Sequence, residues 1–193
     1  MNSITSQNIE TTKPPVASSV LGIIMVIIVE MMFFGGLISA FILAKSGKIE
    51  WPPAGQPRLA FAVTFANMLV LLASAFTMWL YLKNLYKGQL KLQFLKLTIF
   101  LGGLFYIVQA YEWIRILLFG MHTGRGLFTS FFYTIIALHG LHVLIGLLLL
   151  VWALKRVKNQ QLDQQKSFGL TVGLFWFFVV ALWPVLYNLI YID

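Results

Sequence analysis

The hydrophobic positions of this chain fall into five long blocks separated by short polar connections. Each block reaches or exceeds the roughly 20 residues that a helix needs to cross a bilayer core. The connections are too short to fold as separate domains. The pattern therefore predicts an all-α fold, an integral membrane bundle of five transmembrane helices in a single domain over residues 1–193. The predicted helices cover about 16–44, 59–82, 97–119, 127–154 and 168–192.

The composition agrees with this class, because 60% of the residues are hydrophobic, 10% are charged and the mean hydropathy is +0.86. The first apolar block is too long for the hydrophobic part of a signal peptide and lacks a small-residue cleavage pattern. We expect it to be retained as a helix behind a polar tail at residues 1–15. The chain has no cysteine, which excludes disulfides and thiolate metal sites.

The net charge of +8 belongs to cations at the ends of the predicted helices, and no soluble domain is predicted that would present them to nucleic acid. Nine of the fourteen fall on one side of the membrane, and the positive-inside rule makes that side cytoplasmic. The amino terminus is then inside and the carboxyl terminus outside, in a bacterial-type inner or plasma membrane. The nine are Lys13, Lys83, Lys87, Lys91, Lys96, Lys155, Arg156, Lys158 and Lys166, against Lys45, Lys48, Arg58, Arg115 and Arg125 outside.

Ionisable side chains inside the apolar blocks are the candidates for function. His139 and His142 are three residues apart near the middle of the fourth block, so they share a helix face and should both have partners inside the protein. Glu30 lies near the middle of the first block, where a lone carboxylate would be costly. We expect Glu30 to be protonated, hydrogen-bonded to a donor such as His139 or His142, or both. A proton relay and a structural hydrogen bond are both open for it.

Asn67 of the second block and Gln109 and Glu112 of the third form a second candidate group, with Arg115 as a possible partner. Gln109 and Glu112 are one turn apart, and Arg115 follows Glu112 by three residues, so these side chains should lean toward one face. A hydrogen bond from Arg115 or a contact to a neighbouring helix would satisfy Glu112, and a satisfied polar pair is the favoured interpretation. Asn67 in the second block is a weaker case of the same kind.

The same residues argue against a metal or haem site in this chain. A dinuclear centre in a bundle needs a Glu-x-x-His pair on each of two helices, and the sequence has none. The third histidine, His122, falls in a predicted loop. Hydrogen bonding between helices is the preferred role for His139 and His142.

Four segments resemble, in order, the motifs of subunit III of the haem-copper terminal oxidases. They read VEMMFFGG at 29–36, WPPAG at 51–55, QAYEW at 109–113 and HGLHVLIG at 139–146. Asn67 and the following LVLLASA at 69–75 are similar to a further segment, so the resemblance extends from about residue 20 to the carboxyl end. Some members of the family have seven helices and others five, and this chain is similar to the five-helix form.

The resemblance implies a non-catalytic subunit that packs against the catalytic subunit I and other oxidase subunits, stabilises turnover and supports proton uptake in aerobic electron transport. It implies no haem or copper in this chain, both being expected in partner subunits, and bound phospholipid from the membrane is a further expectation. The family's intramembrane polar positions fall on Glu30, Gln109, Glu112, His139 and His142.

The fifth helix departs from the family pattern, because Phe177 and Val180 stand where the family often has histidine and aspartate. We therefore expect this helix to act only by packing, against lipid or a neighbouring subunit. The departure leaves open an accessory subunit of a nitric-oxide reductase or a quinol oxidase. A free-standing proton channel or transporter is the alternative from another class, although we find no broken helices or inverted repeats.

Overall fold

A computed structural model describes residues 18–46, 61–118, 127–157 and 162–189 of the chain. Five helices account for nearly all of these residues, and each is long and apolar enough to cross a membrane. They are α1 (Ser18–Ser46), α2 (Phe61–Tyr86), α3 (Leu92–Leu118), α4 (Leu127–Arg156) and α5 (Leu162–Tyr187). The predicted all-α five-helix bundle is confirmed.

The helix bounds differ most from the prediction at the amino-terminal ends of α3 and α5. α3 begins at Leu92 where position 97 was predicted, and α5 begins at Leu162 where position 168 was predicted and ends at Tyr187. The added first turns carry polar residues such as Gln93 and Asp163. A helix continues for as long as its backbone hydrogen bonds form, whereas an apolar pattern marks only the part suited to lipid.

A tight turn at Gly88 joins α2 to α3. The N–H of Gly88 donates to the carbonyl of Leu85 at 3.0 Å, and that of Gln89 donates to the carbonyl of Asn84 at 2.9 Å. This pair of bonds is a Schellman motif, which requires a left-handed residue after the last helical turn. Gly88 supplies it with φ of 76°, and α2 and α3 consequently run antiparallel and in contact.

The last helix is the centre of the bundle. α5 contacts α1, α2 and α4 along its length, and its side chains reach α3 through a ring contact between Trp183 and Phe105. Trp176 and Trp183 are fully buried. The prediction that α5 packs against lipid or a neighbouring subunit was therefore wrong, since its main contacts are with the other helices of this chain.

Trp176 shows how the small residues of the sequence are used. Its indole ring lies between Gly102 of α3 and Gly146 of α4, and a Cβ added at these glycines would stand 2.7 Å and 2.9 Å from the ring. Its Nε1 donates to the hydroxyl of Ser74 on α2 at 3.2 Å. One side chain of α5 thus joins three neighbouring helices, which small residues make possible by admitting a large ring.

α1 occupies the edge of the bundle. It contacts α4 and α5, and only Val20, Phe34 and Phe41 among its residues are buried. The rest of its surface is apolar and exposed, as at Met32 and Leu43. In a membrane, such a surface faces lipid or another subunit.

Candidate functional site

Glu30 and His142 form an ion pair or hydrogen bond between α1 and α4, with 3.1 Å between Glu30 Oε2 and His142 Nε2. The predicted contact between Glu30 and a histidine of the fourth helix is therefore present. On its other side, Nδ1 of His142 lies 2.7 Å from the carbonyl oxygen of Leu138, one turn earlier in α4. Both ring nitrogens of His142 thus have partners.

The hydrogen-bond chemistry fixes how many protons the pair holds. The Leu138 carbonyl can only accept, so Nδ1 of His142 carries the hydrogen of that bond. Nε2 then either accepts from a protonated Glu30 or is itself protonated beside a carboxylate. In both cases the two side chains share one proton and the pair has no net charge, which makes it tolerable in hydrocarbon.

Aromatic side chains surround this pair on the protein side. Phe34 meets the His142 ring edge-on at a centroid distance of 5.3 Å, and Phe175 of α5 lies at 6.5 Å. The Glu30 side chain is nevertheless 25% exposed and that of His142 12%. The pair therefore lies in an apolar setting but opens onto the outer surface of the bundle beside α1.

Asn67 and Gln109 meet at the interface between α2 and α3. Nδ2 of Asn67 donates to the carbonyl of Phe105 at 3.0 Å and to Oε1 of Gln109 at 3.4 Å. Both residues are buried, at 4% and 2% exposure. The amide pair bridges two helices, which explains why polar residues are tolerated at these depths.

Glu112 is paired with Arg115 along α3, with 3.4 Å between Oε1 and Nη1. The carboxylate is 7% exposed, whereas the guanidinium is 44% exposed. Arg115 thus reaches from the end of the helix toward the surface while covering a buried acid, as the sequence predicted. Gln109 does not join this pair, because its amide oxygen accepts from Asn67 on α2.

His139 differs from the prediction that both histidines have partners. Its ring stacks on Trp183 of α5, with centroids 5.0 Å apart and planes tilted by 21°. It is 1% exposed, and in the described part of the chain neither ring nitrogen has a hydrogen-bond partner. The two histidines share a helix face, yet His142 turns to α1 and His139 to α5.

Several buried residues of this region were not predicted as site residues. Trp113 and Trp183 place indole nitrogens in the core without a hydrogen-bond partner among the described residues. Thr77 and Thr98 bridge α2 and α3 through their hydroxyls at 2.8 Å. A signal for the threonines was available, since both place a hydroxyl in a largely apolar run. The tryptophans gave none, because an indole suits a lipid interface equally well.

The two positions that depart from the family pattern lie in the core of α5. Val180 is 2% exposed and belongs to the main hydrophobic core, and Phe177 packs against that core. Apolar residues at both positions fit their surroundings.

Comparison with known proteins agrees with this geometry. Residues 8–193 match the family described as "Cytochrome c oxidase subunit III". The chain belongs to this family. The family is that of the resemblance found in the motifs, and the match covers four of those motifs and all five helices.

Three relatives illustrate the range of this family. "Cytochrome c oxidase subunit 3" of Xenopus laevis is 35% identical over 187 residues, which are 92% of this chain and 71% of the relative. The protein of the same name from Synechocystis sp. is 30% identical over 182 residues, with shares of 89% and 74%. "Probable cytochrome c oxidase subunit 3" of Mycobacterium leprae is 29% identical over 194 residues, with shares of 97% and 93%.

Family membership and the five apolar helices together establish two points. The chain is a multi-pass membrane protein. It has the role of subunit III in a multi-subunit oxidase complex.

Proposed function

We propose that this chain is a non-catalytic subunit of a respiratory haem-copper oxidase, where it packs against the catalytic subunit I, stabilises it and supports proton uptake. The observation that carries the proposal is the family match over residues 8–193. The exposed apolar surface of α1 supports it, because a subunit of a membrane complex needs a face for its partners.

The redox chemistry of the complex belongs to the partner subunits in this proposal. His139 and His142 turn to different helices, so they do not converge on a common ligand position. Among the residues that the structure describes, no three histidine, aspartate or glutamate side chains are grouped to hold a metal ion. Haem and copper are therefore assigned to other chains, and bound membrane phospholipid is a further expectation for this one.

Co-purification tests this assignment. Affinity capture of the tagged chain from detergent-solubilised membranes should recover a haem-bearing partner, seen in the visible spectrum. The separated chain should be colourless. Recovery of the chain alone, as a homo-oligomer, would favour the free-standing channel or transporter. Spectra of the captured haem, with turnover on reduced cytochrome c against quinol, would separate a cytochrome c oxidase from a quinol oxidase or a nitric-oxide reductase.

The proposed orientation places the connection between α2 and α3 in the cytoplasm, together with residues 1–15 and 158–161. It rests on nine cations on that side against five on the other. Because the chain has no cysteine, a single cysteine gives an unambiguous label. Gln89 is the better site in this turn, since Gly88 has a left-handed backbone.

A membrane-impermeant maleimide should leave Gln89→Cys unlabelled in intact cells and label it after the membrane is opened. Ala54→Cys, between α1 and α2, is the control that should be labelled from outside. Labelling of the first variant in intact cells would reverse the orientation.

The contribution to proton uptake is assigned to Glu30 and His142. The pair shares one proton between two groups, is partly exposed, and lies at mid-membrane on the edge helix. Such a pair has no net charge at rest, and it is charged only between passing its shared proton on and taking up another. The bundle's other buried carboxyl group, Glu112, is held by a permanently charged Arg115 and offers no such exchange.

Glu30→Gln tests this role, because glutamine keeps the size and hydrogen-bonding capacity but cannot titrate. The variant should assemble with its partners yet show slower proton uptake or shorter sustained turnover than the wild-type complex. Glu112→Gln is the matched control and should leave both rates unchanged. Wild-type rates in a fully assembled Glu30→Gln complex would mean that the pair is only structural.

A further inference from the structure

Five buried side-chain nitrogens lack a hydrogen-bond partner in the part of the chain that the structure describes, and they belong to only four residues. These residues are Gln109 and Trp113 on α3, His139 on α4 and Trp183 on α5. We call them the nitrogen cluster. All five unpartnered nitrogens of the described residues therefore lie on α3, α4 and α5.

Ring contacts join His139 to Trp183 and join Trp183 to α3. The His139 ring stacks on Trp183 with centroids 5.0 Å apart, and Trp183 meets Phe105 edge-on at 5.4 Å. Phe105 lies one turn before Gln109 on the same face of α3. The imidazole and the Trp183 indole are therefore in direct contact, and Trp183 reaches the face of α3 that carries Gln109.

The fourth member, Trp113, lies against α4 at the residue that follows His139. The six-membered ring of Trp113 lies against Gly140, where an added Cβ would stand 2.5 Å from the ring. Gly140 is the residue next to His139. Trp113 is two turns from Phe105 and one from Gln109 on α3, so its side chain follows theirs along the α3–α4 contact.

The cluster has too many donors for its acceptors. Gln109 Nε2 and the indole nitrogens of Trp113 and Trp183 can only donate, and a neutral imidazole adds one donor and one acceptor. The remaining polar atom of Gln109, Oε1, already accepts from Asn67. The cluster therefore lacks acceptors for its donor nitrogens and a donor for the bare imidazole nitrogen, and a small group that both accepts and donates hydrogen bonds supplies both.

We propose that the nitrogen cluster is an internal water-binding site in which His139 is the acceptor. A water molecule has two lone pairs and two hydrogens, and buried waters typically bind two to four otherwise unpaired polar groups. Lipid carbonyls and larger solutes do not fit, because His139, Gln109 and Trp183 are at most 2% exposed. The bound water holds His139 as a neutral imidazole and ties α3, α4 and α5 together.

Solid-state NMR of the assembled complex in lipid bilayers tests the proposal, with 15N-labelled tryptophan, histidine and glutamine in this chain. Magnetisation transferred from water should reach the Trp183 indole N–H. Trp176 is the matched control, since it lies on the same helix with 0% exposure but donates to Ser74. Trp183→Phe and Trp176→Phe assign the two signals. In His139→Phe, which keeps the stacked ring but removes the acceptor, the Trp183 transfer should be lost.

Two results would overturn the proposal. One is a Trp183 indole that receives no more water magnetisation than Trp176 in the wild-type complex, which would show a dry core. The other is a direct hydrogen bond between the Gln109 amide and a His139 ring nitrogen in the 15N spectra. The wild-type measurement tests the proposal by itself, even if His139→Phe fails to assemble.

Discussion

The two histidines of α4 show how differently one helix face can be used. His142 has a partner at each ring nitrogen, faces the edge helix α1, and is partly exposed through its contact with Glu30. His139, one turn away, is buried against Trp183 with no protein partner in the described structure. His142 shares a proton with Glu30 and is partly exposed, which suits proton transfer. His139 is buried, which suits a role in holding the helices together.

We expect the largest effect from overpacking the buried region around His139. Gly140→Leu would force a side chain into the Trp113 ring, where a Cβ would already stand 2.5 Å away. Overpacking of this kind costs about 1–3 kcal/mol or more, so we expect poor assembly and a strongly lowered thermal midpoint of the complex. Gly103→Leu is the control, because nothing lies within 4 Å of a Cβ there. Equal stability of the two variants would contradict the close contact.

Loss of the contact between Glu30 and His142 should lower the stability of the complex. Glu30→Leu leaves Nε2 of His142 without its partner on α1, and an unpaired buried polar group costs about 1–3 kcal/mol. Glu30→Gln can still donate to Nε2 and should stay within about 1 kcal/mol of wild type. Thermal unfolding of the purified complexes measures both. A leucine variant as stable as the glutamine variant would show that the 3.1 Å contact contributes nothing to stability.

The two buried tryptophans of α5 allow a smaller, matched test. Trp176→Phe removes an indole that donates to Ser74, whereas Trp183→Phe removes one without a protein partner in the described structure. Both lose a similar ring volume, so the difference compares the Ser74 hydrogen bond with the bond from Trp183 to the proposed water. We expect Trp176→Phe to be the less stable, by no more than the net value of one hydrogen bond, about 0.5–1.5 kcal/mol. The reverse order would mean that the Trp183 N–H has the stronger partner, as a tightly held water would provide.

The smallest effect is expected at the carboxyl-terminal end of α3. Glu112→Gln removes the charge that pairs with Arg115, whose side chain is 44% exposed. Solvent screens such a pair, so we expect a loss below about 1 kcal/mol that shrinks as salt is added. A large, salt-independent loss would place Glu112 in a second interaction with the partner subunit.

The sequence predicts that a polar side chain inside the membrane needs a partner, but it does not show which partner the helix rotations bring near. The pairing of Glu30 with a histidine of the fourth helix could be predicted, because a mid-membrane carboxyl group needs a partner and the sequence offers few. That the partner is His142 and not His139 depends on the rotation of α4, which the sequence does not show. The pairing of Gln109 with Asn67 on α2, away from Glu112, depends on helix rotation in the same way.

The sequence by itself determined the number of helices, the class of fold and the family, because apolar runs of membrane length and four ordered motifs are local features. Only the tertiary structure decided that α5 is central, that α1 lies at the edge, and that Trp176 and Trp183 belong to the core. In a water-soluble protein, apolar periodicity would have marked the buried face. Here lipid is as apolar as the core, so a leucine or tryptophan facing outward looks the same in the sequence as one facing inward.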